Sequence, residues 1–131
     1  MAAALATLSE LKDPKAYKHL YEIGGAVKKG ITDAIEDIGV EAIVAGPEPM
    51  FTIVFTQLEE ITTFEDWKTV KKDQYKNRRN LFERELLERG VFHHPGLGSL
   101  FFDSLAHTRE DAEKTIQAAY EALKKAKKVQ G

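Results

Sequence analysis

The residues with the clearest chemical potential lie in the last third of the chain, where His93 and His94 are adjacent. If this segment is a strand, adjacent side chains leave opposite faces of the sheet and do not share one metal ion without a bulge. No carboxylate stands at a ligand spacing beside them, and the chain has no cysteine that could complete a zinc site. We therefore interpret the pair as rim or sheet histidines and expect no metal centre.

A serine, histidine and aspartate set can also be assembled from Asp103, His107 and either Ser99 or Ser104. Small sets of these residue types arise by chance in most domains. The G-x-S-x-G turn that presents a nucleophilic serine is absent from the sequence. We therefore expect no serine-type catalytic triad.

Two further patterns are weak signals for ligands. The segment Gly96-Leu97-Gly98 begins like a dinucleotide-binding loop, but it lacks the third glycine and leads into a predicted strand instead of a helix. The basic run from Lys71 to Arg79 is nearly balanced by neighbouring acidic residues and contains one aromatic residue, Tyr75, so a solvated helix face is the better interpretation. A nucleic-acid-binding domain would depend on this run, and its binding would weaken steeply with salt.

The composition indicates a single folded domain. The chain has 131 residues, of which 43% are hydrophobic, and a formal net charge of −2. This near-balance gives no global field for nucleic acid or an anionic membrane, and we expect neither as a partner. The apolar N-terminus reaches Glu10 and Lys12 too early to span a bilayer, so the expected location is the cytoplasm.

Two helices are predicted in the first part of the chain. Ala2 to Leu11 carries leucines on one stripe, and Pro14 to Ile38 has apolar residues every three or four positions. Asp13 is the expected N-cap of the second helix, and Gly39 is its expected C-terminal stop.

Strands and helices then follow in an order that does not alternate regularly. Strands are predicted over Glu41–Ala45 and Met50–Phe55, and a helical zone over Thr63–Arg89 with a break near Lys72-Asp73. Thr63 with Asp66 resembles a capping box at the start of this zone.

The remaining elements complete the fold prediction. Short strands are predicted over Gly90–His94 and Leu100–Leu105, and a last helix begins at Thr108 with Asp111 three positions on. The order of elements predicts an α+β fold, with helices laid on a small, mainly antiparallel sheet.

Several stretches taken together resemble a known family. They are Met1–Leu11, Gly46–Phe55, Glu88–Pro95 and Ser104–Ile116. They resemble the C-terminal end of class III pyridoxal-phosphate-dependent aminotransferases, in the branch of glutamate-1-semialdehyde aminomutase. The resemblance covers the chain, and it implies that residues 1–12 are similar to the end of the interdomain helix and residues 13–131 to the small domain of fold-type I enzymes.

The resemblance also implies what the chain does not contain. Enzymes of this family hold pyridoxal 5′-phosphate as a Schiff base on a lysine of the large domain. The motifs for that lysine, for the acidic partner of the pyridinium nitrogen and for the phosphate-binding loop do not occur in this sequence. We therefore expect no catalytic residue and no cofactor-binding residue in this chain.

The same resemblance implies candidate residues on the substrate side. His93, His94 and Ser99 occupy the family's rim segment, where they would act by orientation and hydrogen bonding. Ser99 stands where the aminomutase branch has a glutamate, and the His93-His94-Pro95 sequence is more similar to aminotransferase relatives.

The leading interpretation is a detached small domain that closes over the substrate in a complete enzyme and does not transaminate alone. Its partner would be a large pyridoxal-phosphate-binding domain. The alternative is a non-catalytic interaction module that reuses this fold, with the first helix and the Leu100–Phe102 strand as a surface for a partner or for self-association.

Overall fold

A computed structural model describes residues 1–70 and 74–130. The helices and strands follow the chain in this order: α1 (Ala2–Glu10), α2 (Pro14–Ile38), β1 (Ala42–Ala45), β2 (Met50–Phe55), α3 (Phe64–Val70), α4 (Lys76–Glu88), β3 (Phe101–Phe102) and α5 (Arg109–Ala126). The three described strands form an antiparallel sheet in the order β1-β2-β3. The α+β prediction is therefore confirmed.

Local capping explains where the long helices begin and end. Asp13 Oδ1 accepts a hydrogen bond of 2.9 Å from the backbone N–H of Lys15, as expected for an N-cap. Gly39 ends α2 in the left-handed conformation, with φ of 65°, which a residue with a Cβ adopts rarely. Thr108 and Asp111 form a reciprocal capping box at the start of α5.

The helical zone predicted over residues 63–89 is two helices, α3 and α4. Thr63 and Asp66 make the predicted reciprocal bonds at the start of α3, where Asp66 Oδ2 accepts the Thr63 N–H at 2.8 Å and Thr63 Oγ1 accepts the Asp66 N–H at 3.2 Å. The predicted break at Lys72-Asp73 lies outside the described residues.

The prediction of a strand over Gly90–His94 is wrong. The backbone N–H of Gly90 bonds to the carbonyl of Leu87, and that of Val91 bonds to the carbonyl of Leu86, both at 3.0 Å. These bonds close the end of α4, so this backbone turns around the helix end and does not form a ladder, and residues 91–95 are an irregular segment.

The strand predicted over Leu100–Leu105 is only two residues long. Phe101 pairs with Phe51, and Phe102 pairs with Met50, the first residue of β2. Beyond this pair the backbone N–H of Asp103 reaches the carbonyl of Pro49 at 3.3 Å. Proline has no N–H to continue the ladder, so the chain leaves the sheet here.

The core lies between the sheet and the packed helices α2, α4 and α5. Its largest fully buried side chains come from four helices and strands: Ile31, Phe51, Val54, Phe82, Leu86 and Leu123. The rings of Phe51 and Phe101 stack with centroids 5.1 Å apart, which fixes β3 against β2.

Helix α1 contrasts with this core because none of its residues is buried. The predicted stripe exists, but Leu5 and Leu8 are exposed. Within the described parts of the chain, no helix combines the length and the apolar character that crossing a membrane would need.

Candidate functional site

A short loop between α4 and β3, residues 94–99, is called the rim loop below. His94 Nδ1 lies 3.3 Å from Ser99 Oγ, and the Ser99 hydroxyl donates to the carbonyl of Pro95 at 3.1 Å. Because the hydroxyl proton is used in that bond, Ser99 Oγ accepts from the His94 ring. The fold therefore brings together two of the three substrate-side candidates.

Two helices hold the rim loop in place. Glu83 on α4 accepts a hydrogen bond of 2.9 Å from the backbone N–H of Gly96. The Trp67 ring on α3 lies so close to Gly98 that a Cβ on this glycine would stand 2.8 Å from the ring. The loop is therefore positioned by side chains that are distant from it in sequence.

His93, the third candidate, packs against β3. Its ring centroid lies 4.3 Å from that of Phe101, and His94 beside it is exposed. Both ring nitrogens of His93 are buried, and neither makes a hydrogen bond of good geometry with a described residue. Burial lowers the pKa of His93, the charge of His94 acts in the same direction, and the nearby Ser99 backbone opposes them.

Beneath the rim, His93 lines a cavity of about 270 Å³ that we call the inner cavity. Its apolar walls come from α2, from the segment after α4, from β3 and from α5: Ile23, Val27, Val91, Phe92, Leu100, Phe101, Phe102 and Ala112. Its polar lining is His93, His94, Asp103, His107, Asp111 and Thr115. None of the described lining residues is a lysine or arginine.

A wider groove of about 680 Å³, the outer groove, adjoins the inner cavity along α5. Phe92 and Phe102 line both spaces, and their side chains are 77% and 63% exposed. Two aromatic rings with this much exposed surface mark the mouth between the two spaces as an apolar patch.

Asp103 is the most unusual polar residue of the inner cavity. Its Oδ2 is buried and has no hydrogen-bond partner among the described residues. Burial raises the pKa of this carboxyl group, and the nearby His107 ring opposes that effect only in part. The carboxylate lies against Gly24 of α2, where an added Cβ would overlap both Asp103 Oδ2 and the Glu48 carbonyl oxygen. Because glycine has no side chain, both oxygens can approach the helix at this position.

His107 and Ser104 are neighbours in a tight turn before α5. The backbone N–H of Ser104 donates to His107 Nδ1 at 2.9 Å, and Ser104 Oγ lies 2.9 Å from the same nitrogen. The carbonyl of His107 in turn accepts the Nε2–H of His19 on α2 at 2.8 Å. The Nδ1 of a neutral His107 is an acceptor here, so its proton is on Nε2.

This turn is not a catalytic triad. A triad needs an aspartate bonded to one ring nitrogen and a serine bonded to the other. Here Ser104 occupies Nδ1 with its backbone as well as its hydroxyl, and Asp103 Oδ2 makes no bond to His107. Ser99 is instead held in the rim loop by Pro95. The set of residues that the sequence suggested thus divides into two local structures.

The arrangement of the described residues also decides which metal or cofactor they could hold. Among residues 1–70 and 74–130, no group of three or more histidine and carboxylate side chains is arranged to hold a metal ion. Pyridoxal 5′-phosphate needs a lysine that is easily deprotonated. Lys114 in the outer groove is paired with Glu110 at 2.9 Å, which raises its pKa, so this lysine does not meet that requirement.

The lysines of α2 are also engaged in local contacts. Lys28 Nζ donates to the carbonyl of Gly46 at 2.6 Å, and Lys29 pairs with Asp33 one turn along the helix. These contacts are those of surface charges, and neither lysine lines the inner cavity or the outer groove.

Comparison with curated sequences finds relatives over almost the whole chain. Glutamate-1-semialdehyde 2,1-aminomutase of Thermus thermophilus is 36% identical over 124 residues, which is 94% of this chain and 28% of that protein. The second such aminomutase of Brevibacillus brevis is also 36% identical, over 96% of this chain and 28% of its own length. This chain thus spans little more than a quarter of these relatives. No family model matches the chain.

Solved structures agree on the fold. The internal-aldimine form of the FumI protein of Sphingopyxis sp. MTA144 superposes with a TM-score of 0.71 and 24% identity, over 93% of this chain and 25% of that one. An omega-transaminase of Sphaerobacter thermophilus gives the same TM-score at 20% identity, over 87% of this chain and 25% of that one. The chain is therefore related, over nearly all of its length, to a C-terminal part of the class III pyridoxal-phosphate-dependent aminotransferases and aminomutases, which confirms the resemblance seen in its sequence.

Proposed function

We propose that this chain works as the small domain of a class III pyridoxal-phosphate-dependent enzyme and closes the substrate side of its active site. The observation that carries the proposal is the extent of the similarity, which covers 94% of this chain but 28% of the Thermus relative. A domain that completes a larger enzyme needs surfaces for the rest of it. The leucines of α1 and the aromatic rings of Phe92 and Phe102 are exposed and apolar, which supports such a role.

In this proposal the rim loop faces the substrate. His94 is exposed and its Nδ1–H is directed at Ser99, so its Nε2 is left to contact a bound molecule. Ser99 Oγ keeps a free lone pair beside it. His93 supports the loop from below by packing on Phe101. All three would orient the substrate, because none of them forms the covalent link of the family's chemistry.

The division of the chain follows the same reasoning. Residues 1–12 would be the end of the helix that joins the large and small domains, since no residue of α1 is buried against the rest of the chain. Residues 13–131 would be the small domain itself. The cofactor would be held by the large domain, and the chain alone would neither bind it at a specific lysine nor transaminate.

A chimeric enzyme tests the proposal. This chain would replace the matching segment of the Thermus thermophilus aminomutase, and pyridoxal phosphate binding would be followed by absorbance together with turnover of an amino donor. We expect the chimera to bind the cofactor and to turn over, and the 131-residue chain to do neither. Turnover by this chain alone would refute the proposal, as would a folded chimera that binds the cofactor but cannot turn over any donor.

The substrate-side role has a matched test in the same chimera. His94→Ala and Ser99→Ala should raise KM or change donor preference while cofactor absorbance stays the same. Glu36→Ala, which removes an exposed side chain of α2, serves as the control. Equal kinetics in all three variants would remove the rim loop from the substrate side.

The exposed apolar surface of α1 and the Phe92–Phe102 patch also favour a second candidate function, a non-catalytic interaction module. Sedimentation of the chain over a range of concentrations discriminates the two. A dimer that forms with rising concentration and is indifferent to pyridoxal phosphate would favour the module. A monomer at all concentrations would favour the detached domain.

A further inference from the structure

Two oxygens that accept hydrogen bonds meet above Gly24 of α2. A Cβ added to this glycine would stand 2.2 Å from the Glu48 carbonyl oxygen and 2.3 Å from Asp103 Oδ2, so the two oxygens are at most 4.5 Å apart. The backbone N–H of Asp103 bonds to the carbonyl of Pro49 at 3.3 Å, which places the segment after β3 beside the turn between β1 and β2. Asp103 Oδ2 is buried and has no hydrogen-bond partner among the described residues. A carboxyl oxygen and a carbonyl oxygen therefore approach each other without a donor from a neighbouring side chain.

The space between these oxygens is too small for a bridging molecule. The point above Gly24 lies within 2.3 Å of both oxygens, whereas a bridging water molecule needs about 2.8 Å to each. A carboxylate buried in this way would be strongly unfavourable, because neither oxygen supplies a hydrogen. A protonated carboxyl group carries an O–H that donates to a carbonyl with the oxygens about 2.5–3.0 Å apart. That separation lies within the limit set by the approach to Gly24.

The charged groups packed around Asp103 do not provide a counter-ion for a carboxylate at this place. Burial raises the pKa of Asp103, and the His107 ring opposes that effect only in part. On α2, Lys28 is bonded to a backbone carbonyl of the β1–β2 turn, and Glu22 pairs with Arg109 of α5. The other ionisable side chains near this point are Glu48 of the turn, His93 and His94 of the segment after α4, and Asp111 of α5. None of these described groups bonds to Asp103 Oδ2.

We propose that Asp103 is a neutral carboxylic acid in the folded chain and that its O–H donates to the Glu48 carbonyl, which forms a pH-sensitive latch between the segment after β3 and the β1–β2 turn. When the proton passes to solvent at higher pH, two acceptors are left facing each other and the latch is lost. Asp103 also lines the inner cavity, so the latch fixes one wall of that cavity. The inference concerns the 131-residue chain by itself and does not depend on the proposed role in a larger enzyme.

The carboxyl carbon of Asp103 reports its protonation directly. The ¹³C-labelled chain would be titrated from about pH 3 to about pH 8, with this resonance assigned by NMR through its own backbone amide. We expect its midpoint to lie above about 3.9, the ordinary pKa of an aspartate. Glu48→Gln is the matched control, because it removes the neighbouring side-chain charge and keeps the backbone carbonyl. The Asp103 midpoint in this variant should equal that of the native chain.

The stability of the chain should depend on this proton with a definite sign. Because burial raises the pKa of Asp103, the folded chain keeps the proton at pH values where the unfolded chain has released it. The stabilisation is complete below about pH 3.9 and is lost as the pH rises through the folded-state pKa.

Two variants separate the hydrogen bond from the charge. Asp103→Asn keeps the shape of the side chain and supplies an N–H to the Glu48 carbonyl at every pH, whereas Asp103→Ala supplies no donor. In urea unfolding we expect Asp103→Asn to have the higher midpoint of the two variants at every pH. The midpoint of the native chain should fall relative to that of Asp103→Asn as the pH rises. Circular dichroism would verify that both variants are folded.

A raised Asp103 midpoint that is the same in the native chain and in Glu48→Gln, together with greater stability of Asp103→Asn than of Asp103→Ala, supports the latch. A midpoint at or below about 3.9 would overturn it. A midpoint that returns to this value in Glu48→Gln would also overturn it, because the side-chain charge would then hold the proton. Equal stability of the two Asp103 variants would show that the Glu48 carbonyl needs no donor. If either Asp103 variant does not fold, the carboxyl titrations of the native chain and Glu48→Gln decide the matter alone.

Discussion

Gly24 and Gly25 offer a sharp test of how closely the rest of the chain approaches α2. They are consecutive residues of one helix, so a change to alanine in either should bring the same gain in helix propensity, about 1 kcal/mol. At Gly25 the new Cβ would meet only the Glu48 side chain, with Cγ at 3.5 Å and Cβ at 4.0 Å, which are ordinary contacts. We therefore expect Gly25→Ala to stabilise the protein by about 1 kcal/mol.

The same change at Gly24 should destabilise it. The added Cβ would stand 2.7 Å from the Glu48 carbonyl carbon, about 1 Å inside the usual carbon–carbon separation of about 3.5–4.0 Å. The backbone at Glu48 and the Asp103 carboxylate would both have to move, and overpacking of this kind costs about 1–3 kcal/mol. The gain in helix propensity offsets about 1 kcal/mol of this cost, so Gly24→Ala should lower the free energy of unfolding by up to about 2 kcal/mol.

Urea unfolding followed by circular dichroism at 222 nm measures both variants under one set of conditions. The expected result is a difference of about 1–3 kcal/mol in the free energy of unfolding between the two variants, with Gly24→Ala the less stable. If Gly24→Ala is stabilised as much as Gly25→Ala, the close approach of Glu48 and Asp103 to α2 is wrong. The inner cavity as described would then be wrong as well.

Three further predictions use the same unfolding measurement. Leu123→Ala, in the core, should lose about 2–5 kcal/mol, whereas Leu87→Ala, on the exposed face of α4, should change stability by less than about 0.5 kcal/mol; similar losses would contradict the assigned core. Thr108→Ala should lose about 1 kcal/mol with the capping box. Bonds from Thr108 lower the pKa of Asp111, so this difference from the native chain should shrink below about pH 3.9, and a constant difference would argue against the bonds. His93→Leu should not destabilise the protein at pH 8, because it removes a buried ring without hydrogen bonds. Since burial lowers the pKa of His93, the native chain should lose stability relative to this variant as the pH falls below about 6.5. If the difference in the free energy of unfolding between the two proteins is the same at about pH 8 and below about pH 6.5, this account is wrong.

The sequence predicts helix ends well because the signals are local. Asp13 and Pro14 at the start of α2, Gly39 at its end and the Thr108–Asp111 pair at the start of α5 each act through backbone groups within four residues. Such capping contacts are determined by the residues that make them, with little help from the rest of the fold. The hairpin of β1 and β2 is predicted for a similar reason, since turn residues separate two β-rich stretches.

The elements that the sequence does not predict depend on distant contacts. The Gly90–His94 segment has strand-like residues, but the backbone N–H groups of its first two residues bond to carbonyls at the end of α4. The candidate site shows the same limit. The pairing of His94 with Ser99 could be foreseen from their spacing in one loop, whereas the inner cavity joins residues of α2, β3 and α5. The close approach of Glu48 and Asp103 to α2 leaves one trace in the sequence, which is Gly24, a glycine within the apolar stripe of a long helix.

The contact between Trp67 and Gly98 makes the chain its own optical reporter. Trp67 is the only tryptophan in the sequence, and its ring lies against the rim loop. Fluorescence excited at the long-wavelength edge of the aromatic absorption band, where tyrosine absorbs little, therefore comes from one position without any label. A shift of the loop by even a small distance changes the polarity around that ring. Assembly with a larger partner, or occupation of the rim, can thus be followed in real time from the native fluorescence of the molecule.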